Sequence, residues 1–300
     1  MSKEIGYNIW RLIALLPLAA MAIVFGGPRA IMMITTSLLA CVIADILLSV
    51  LPKFESDPIR SAAYGIIIVM IFPLSAPLWL PCAAAVALTV AMRLHKRFEI
   101  EEKINITACV WLVLMSVFAG IMRVFPTVSE LGKLPLFATP SEFDTAHNLL
   151  TDIEANILPN VSAIDLILGK VAGGIGAVSL IAILLGGLIL FLRGGANWQA
   201  SVGMFAFICL LCAFTCPLSV PYAQHLLMQL SGGSLLFACL FIVPQNPMPT
   251  AARFKVMYGV LIGALIMIMR VIGFDEFATP FAIVFVSLFI CPFEKILTPK

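Results

Sequence analysis

Charge is what this sequence is short of. Asp, Glu, Lys and Arg make up 11% of its 300 residues, against roughly a quarter in an ordinary soluble domain. With 62% hydrophobic residues, the shortage excludes a soluble globular protein and predicts an all-α polytopic membrane protein. The net charge of +2 gives no basic excess, so nucleic acid is excluded as a partner; membrane lipid takes its place. The three histidines are scattered. No nucleophile–base pair and no metal-ligand spacing is present, so no self-contained hydrolytic site and no metal are expected. No small-residue cleavage site follows the first apolar run, which is read as a retained span.

Cysteine is present, eight times, but in or beside apolar runs and never in the one long polar stretch. That excludes a disulfide framework. Cys209, Cys212 and Cys216 recur at i, i+3 and i+7 and share a helical face. Three thiols fall short of an iron–sulfur ligand set, and small residues at a helix seam account for them as well.

What is present is a succession of apolar runs. At about 20 residues per crossing, ten spans are expected, starting near residues 9, 29, 61, 78, 104, 177, 199, 224, 256 and 278. With the N-terminus inside, Lys and Arg divide thirteen to five in favour of the inner side, which places both termini in the cytoplasm. The inner loop "MRLHKRFEIEEKINIT" reads as a solvated face or a docking surface. One long connection, residues 126–176, lies outside. Its second part, "AIDLILGKVAGGIGAVS", reads as a re-entrant or interfacial segment. The glycines there lack a surrounding βαβ unit, so a dinucleotide fold is excluded; they suit close backbone packing or a planar ligand.

Two apolar runs are cut by prolines, "IFPLSAPLWLP" from Ile71 and "IVPQNPMPT" from Ile242. Proline cannot donate a backbone hydrogen bond and clashes with the preceding turn. Placing Ser61 on Ser231 puts Pro77 on Pro247, with serine, small residues, apolar run and prolines in the same order. The third span runs outward and the eighth inward. The pattern predicts two inverted five-helix repeats with interrupted third and eighth spans: residues 1–125, the external segment 126–176, and residues 177–300. Two unrelated proline kinks are the plainer alternative. Asp45, in "LLACVIADILLSVL", puts a carboxylate at membrane depth, and is either an ion or proton relay or a buried anchor.

These residues resemble a known family, the D subunit of the Rnf ion-translocating electron-transport complex and the related B subunit of the sodium-pumping NADH:quinone oxidoreductase. The likeness covers essentially the whole chain. It is clearest in "RSAAYGIIIVMIFPLSAPLWLP", "LGKVAGGIGAVSLIAILLGGLILF" and "HLLMQLSGGSLLFACLFIVPQNP". It implies flavin: FMN linked covalently to a loop threonine, and a second flavin, riboflavin, bound without a bond. The attachment site falls on "LFATP", making Thr139 the candidate and Thr145, in "FDTA", the second choice. The non-covalent site and its cavity fall on Ser61, Tyr64, Asn105, Gly173, Ser231, Gly232 and Asn246. Several of these depart from the family pattern: Leu136 and Phe137 replace serine and glycine, Tyr64 replaces threonine, and Asn246 replaces aspartate.

The leading expectation is a membrane subunit that passes electrons through flavin, coupled to Na+ or H+ movement, in company with other membrane and peripheral subunits. A small-solute transporter or channel of urea-transporter-like architecture, or a structural subunit that has lost its cofactors, are the alternatives.

Overall fold

The computed structural model describes residues 3–50, 56–97, 104–137, 144–146, 149–150, 161–193, 197–217, 220–245 and 248–297. The described residues are mainly helical, with one antiparallel ribbon of two residues per strand. Helix α1 spans Lys3–Ser49, but Gly27 breaks it with φ 63, next to Pro28. The two expected opening spans are therefore two helices joined end to end. Helix α2 is Pro58–Met70, opened by the side chain of Asp57, which accepts a hydrogen bond from the Arg60 amide, and by proline in its first turn. Then follow α3 (Trp79–Arg97), α4 (Ile106–Val117) and the single turn α5 (Ala119–Met122).

The connection contains strand β1 (Phe125–Pro126), paired antiparallel with β2 (Thr145–Ala146), and helix α6 (Ala163–Leu168). Beyond it lie α7 (Leu180–Leu192), α8 (Trp198–Thr215) and α9 (Tyr222–Ser231). A left-handed turn at Gly233 and Ser234 leads to α10 (Leu235–Phe237), which runs into a π-helical stretch, Ala238–Ile242. Helices α11 (Ala252–Val271) and α12 (Asp275–Leu297) complete the chain.

Among the described residues, four helical stretches are long and apolar enough to cross a membrane: Gly6–Ser49, Trp198–Thr215, Tyr222–Ile242 and Ala252–Val271. Four shorter apolar helices, α2, α3, α4 and α7, pack among them. Apolar side chains cover the outside, with Val24, Leu47, Phe191, Phe214 and Val271 at least half exposed, as expected where the solvent is hydrocarbon.

Helix α1 packs against α2, α3 and α7; α11 packs against α8 and α12; and α12 packs against α4. Close contact depends on small residues, because lipid supplies no hydrophobic drive between helices. At Gly259 of α11 a side chain would collide with the Ala200 carbonyl of α8, and at Gly263, one turn on, a Cβ would stand 3.0 Å from that of Met204, a tight contact. Between α1 and α2 the Ser37 hydroxyl donates to the Gly65 carbonyl at 2.9 Å.

Candidate functional site

The prolines at 73 and 77 end α2 inside the protein and release its last carbonyls. Neighbouring protein groups take these up. The amides of Ile175 and Gly176 donate to the carbonyls of Phe72 (2.8 Å) and Met70 (3.3 Å), and Gly174 pairs with Pro73 as an antiparallel bridge. The Gly-rich segment is thus backbone packed on backbone. A Cβ at Gly174 would stand 2.7 Å from the Met70 oxygen, too close for any side chain. Gly174→Ala is expected to destabilise by about 2 kcal/mol through overpacking, measured by thermal unfolding in detergent. Gly120→Ala serves as control, since nothing lies within 4 Å of its Cβ position.

The rest of the break belongs to Arg29, which is 1% exposed. Its Nε donates to the Leu74 carbonyl (2.7 Å) and its Nη2 to those of Ala76 (3.0 Å) and Ser75 (3.3 Å). Its Nη1 donates to the carbonyls of Pro135 (2.7 Å) and Leu136 (3.4 Å). One guanidinium therefore ties the broken helix to the long connection, three residues ahead of Thr139. The Ser75 hydroxyl adds a bond to the Val124 carbonyl.

The second break has its own arginine. Arg270, near the end of α11, donates through Nη1 to the carbonyl and side-chain oxygens of Gln229 (2.8 and 2.7 Å), and through Nη2 to the Gly232 carbonyl (2.9 Å). Thr279 donates to the Gly233 carbonyl at 3.2 Å. Ser234 holds φ 51 without being glycine, a strained conformation of the kind that clusters at functional sites. Farther along, Asn105 caps α4 through its side-chain oxygen and donates its amide to the Ile242 carbonyl at 2.8 Å. Gln245 donates to the Phe241 carbonyl (2.6 Å) and accepts from Thr107 (2.8 Å).

Beside Arg270, between the ends of α8, α9 and α11, opens a cleft of about 390 Å³. Its wall includes Leu150 of the long connection, Thr215, His225, Gln229 and Arg270. His225 is 1% exposed; its Nε2 lies 3.4 Å from the Thr215 hydroxyl. Its Nδ1, like the Nε of Arg270, has no hydrogen-bond partner among the described residues. Buried polar atoms left without a partner are uncommon, and both residues line a space that can hold a ligand.

The expected site residues divide into two groups. Gly173 sits against Val178, Ser231 donates to the Val178 carbonyl at 3.4 Å, and Gly232 lies under Leu150; these gather near the cleft. Ser61 and Tyr64 belong to α2, where the Tyr64 hydroxyl accepts from Arg11 at 2.9 Å. Asn105 is occupied at both ends, as described. No hydrogen bond among the described residues joins the two groups. Thr145 is exposed in β2; Thr139 and Asn246 lie outside the described residues.

Asp45 is fully buried and ion-paired with Arg93 of α3, whose Nε donates at 2.6 Å. It also accepts from Ser56 (3.1 Å) and the Asp57 amide (2.9 Å). Cys212 is buried, with Cys209 and Cys216 partly so. No three His, Cys, Asp or Glu residues among those described converge as metal ligands.

Arg29, Arg270, His225 and Gln229 were not singled out by sequence. The signal was an arginine inside or beside an apolar run, as in "IMIMRVIGF", which ordinarily marks a buried functional or structural contact.

The chain matches the family model described as NQR2, RnfD, RnfE over residues 5–300. The chain belongs to the NQR2, RnfD, RnfE family. Among its relatives is the D subunit of the ion-translocating oxidoreductase complex of Haemophilus ducreyi, 24% identical over 98% of this chain and 93% of the relative. The D subunit of the Na(+)-translocating ferredoxin:NAD(+) oxidoreductase complex of Acetobacterium woodii is 24% identical over 87% of this chain and 79% of that relative. The B subunit of the Na(+)-translocating NADH-quinone reductase of Klebsiella pneumoniae is 32% identical over 46% of this chain, an alignment that spans 35% of the relative. Family membership and the apolar helices together make this a multi-pass membrane protein.

Proposed function

We propose that the chain is a membrane subunit of an ion-translocating electron-transport complex, working with other subunits in the cytoplasmic membrane with both termini inside. Its match to the family over nearly its full length carries this reading. Relatives bearing the names of such complexes support it.

The ten-span inverted repeat is part of the proposal. Under it, α1 and α7 supply the first spans of the two halves, and α4 and α12 the last. Both pairs pack together, as an internal two-fold axis requires of elements near it.

We further propose one flavin, FMN, on the side of the long connection, tethered through Thr139 or, failing that, Thr145. Bound flavin would supply one- and two-electron transfer. The cleft suits its ring: Arg270 and Gln229 offer donors to a carbonyl edge, and Leu150 and Met267 offer apolar faces. Thr139 is three residues from the carbonyl of Leu136 held by Arg29, hence within about 10 Å of that anchor. Thr145 is five residues from Leu150, within roughly 18 Å of the cleft wall. For a second flavin the residues fit less well. The Tyr64 hydroxyl and the Asn105 side chain, at the places the resemblance assigns to it, are already bonded within the protein. Asp45, held by Arg93, is assigned an anchoring role.

The test is the intact mass of the full-length protein from its native membrane, with in-gel flavin fluorescence after denaturation. One FMN increment is expected, lost in Thr139→Ala or, if the second site is used, in Thr145→Ala. Absence of both covalent and extractable flavin would overturn the flavin proposal and leave a structural subunit or a transporter.

A further inference from the structure

We propose that Arg11 and Arg60 together hold the phosphate of an anionic phospholipid, on the face of the protein opposite the long connection. The inference does not depend on the redox reading.

Arg11 is 6% exposed, yet its hydrogen-bond acceptors are two phenols: Tyr64 Oη at 2.9 Å and Tyr7 Oη at 2.6 Å. Its guanidinium lies over both rings, 5.2 Å from the centroid of Tyr64 and 4.6 Å from that of Tyr7. Arg60, exposed and one turn before Tyr64 on α2, lies over the same Tyr64 ring at 5.8 Å. Two cations thus converge on one phenol, and neither makes an ion pair among the described residues.

The two carboxylates described in this region, Asp57 and Asp45, are engaged elsewhere. Asp57 accepts from Asn8 and from the Arg60 amide. Asp45 accepts from Arg93, Ser56 and the Asp57 amide. Aromatic faces attract a cation without neutralising it, and a buried charge ordinarily has an anionic partner. Among the side chains described, no carboxylate pairs with either fork.

Phosphate matches the guanidinium fork in shape and charge, and the surroundings point to a lipid as its source. Tyr7 sits near the start of α1, in contact through Arg11 with Tyr64 midway along α2, and Trp10 carries Arg193 stacked at 3.9 Å. Aromatic residues of this kind mark the membrane–water boundary. Leu16, farther along α1, is 61% exposed and continues the surface for an acyl chain. This is also the side on which Lys and Arg concentrate, and basic sites between helices there recognise anionic headgroups.

The experiment places the full-length protein in nanodiscs of phosphatidylcholine with graded phosphatidylglycerol. Lipid retained on release is read by native mass spectrometry, alongside thermal unfolding. The wild type is expected to retain phosphatidylglycerol in preference to phosphatidylcholine and to melt higher as its share rises. Arg60→Gln, on an exposed side chain that folding does not need, is expected to cut retention about fivefold while melting like wild type in pure phosphatidylcholine. Arg253→Gln, exposed and stacked on Phe254, should leave retention unchanged. Equal retention of the two lipids by wild type, or undiminished retention by Arg60→Gln, overturns the proposal. Stabilisation by millimolar inorganic phosphate equal to that by phosphatidylglycerol overturns the lipid as the source.

Discussion

Arg29→Met is expected to cost the protein about 4 kcal/mol and to release the long connection at the same time. Arg29 is nearly inaccessible and serves carbonyls from Leu74, Ser75, Ala76, Pro135 and Leu136. Each buried carbonyl left without a donor costs about 1–3 kcal/mol. Methionine keeps the length of the side chain and supplies no donor. Arg29→Lys keeps the charge but replaces a five-donor fork with a point charge, so it should fall between the two. Unfolding in detergent gives the energy, and limited proteolysis between residues 130 and 150 reads the connection. A variant that melts within about 1 kcal/mol of wild type and resists cleavage would show that the break and the connection are held by other groups, since a change that small is ordinary for surface substitutions.

The second large effect belongs to Asp45. Asp45→Asn leaves the Arg93 cation, 8% exposed, without its counter-charge, a loss of about 3–5 kcal/mol by the usual cost of breaking a buried pair. The double variant Asp45→Leu, Arg93→Met removes both charges and is expected to recover most of that stability, because apolar replacements of buried pairs are often close to neutral. The double-mutant cycle measures the coupling directly. It also tests the anchoring role assigned to this carboxylate against that of a relay. An anchor predicts that the double variant, in the assembled complex, still moves ions; a relay predicts that it cannot. A double variant no more stable than the singles would mean that the pair is not self-contained.

The sequence made the class of protein and the positions of its helices legible, for a physical reason. Hydropathy reports transfer from water to hydrocarbon, and a span must be apolar for about 20 residues. The expected starts near residues 78, 104 and 199 lie next to Trp79, Ile106 and Trp198. The prolines after Ile71 and Ile242 likewise announced the breaks, because their chemistry is local. What completes the breaks was not legible. Arg29 meets Pro135 across 106 residues, and Asn105 meets Ile242 across 137; no periodicity records such pairings. Gly174 and Gly176 could be read as packing or as ligand approach, and only their contact with Met70 and Ile71 selects packing. The cleft was missed because its residues come from α8, α9, α11 and the connection, and in sequence His225 looks like any isolated histidine.

Arg29 also bears on how the chain is made. Its nearest carbonyl partners lie 45 to 47 residues downstream and its most distant ones 106 to 107. At about 5–20 residues per second, the ribosome needs roughly 5–20 s after adding Arg29 to supply Pro135. For that interval the cation lacks part of its native set, the carbonyls of Pro135 and Leu136, while those of Leu74, Ser75 and Ala76 are made in the first half of it. The hairpin reaches its final hydrogen bonding only when the connection folds back over it. Assembly of the first half is therefore paced by a segment made after it, and truncating the chain before residue 135 should leave a hairpin that inserts but does not mature.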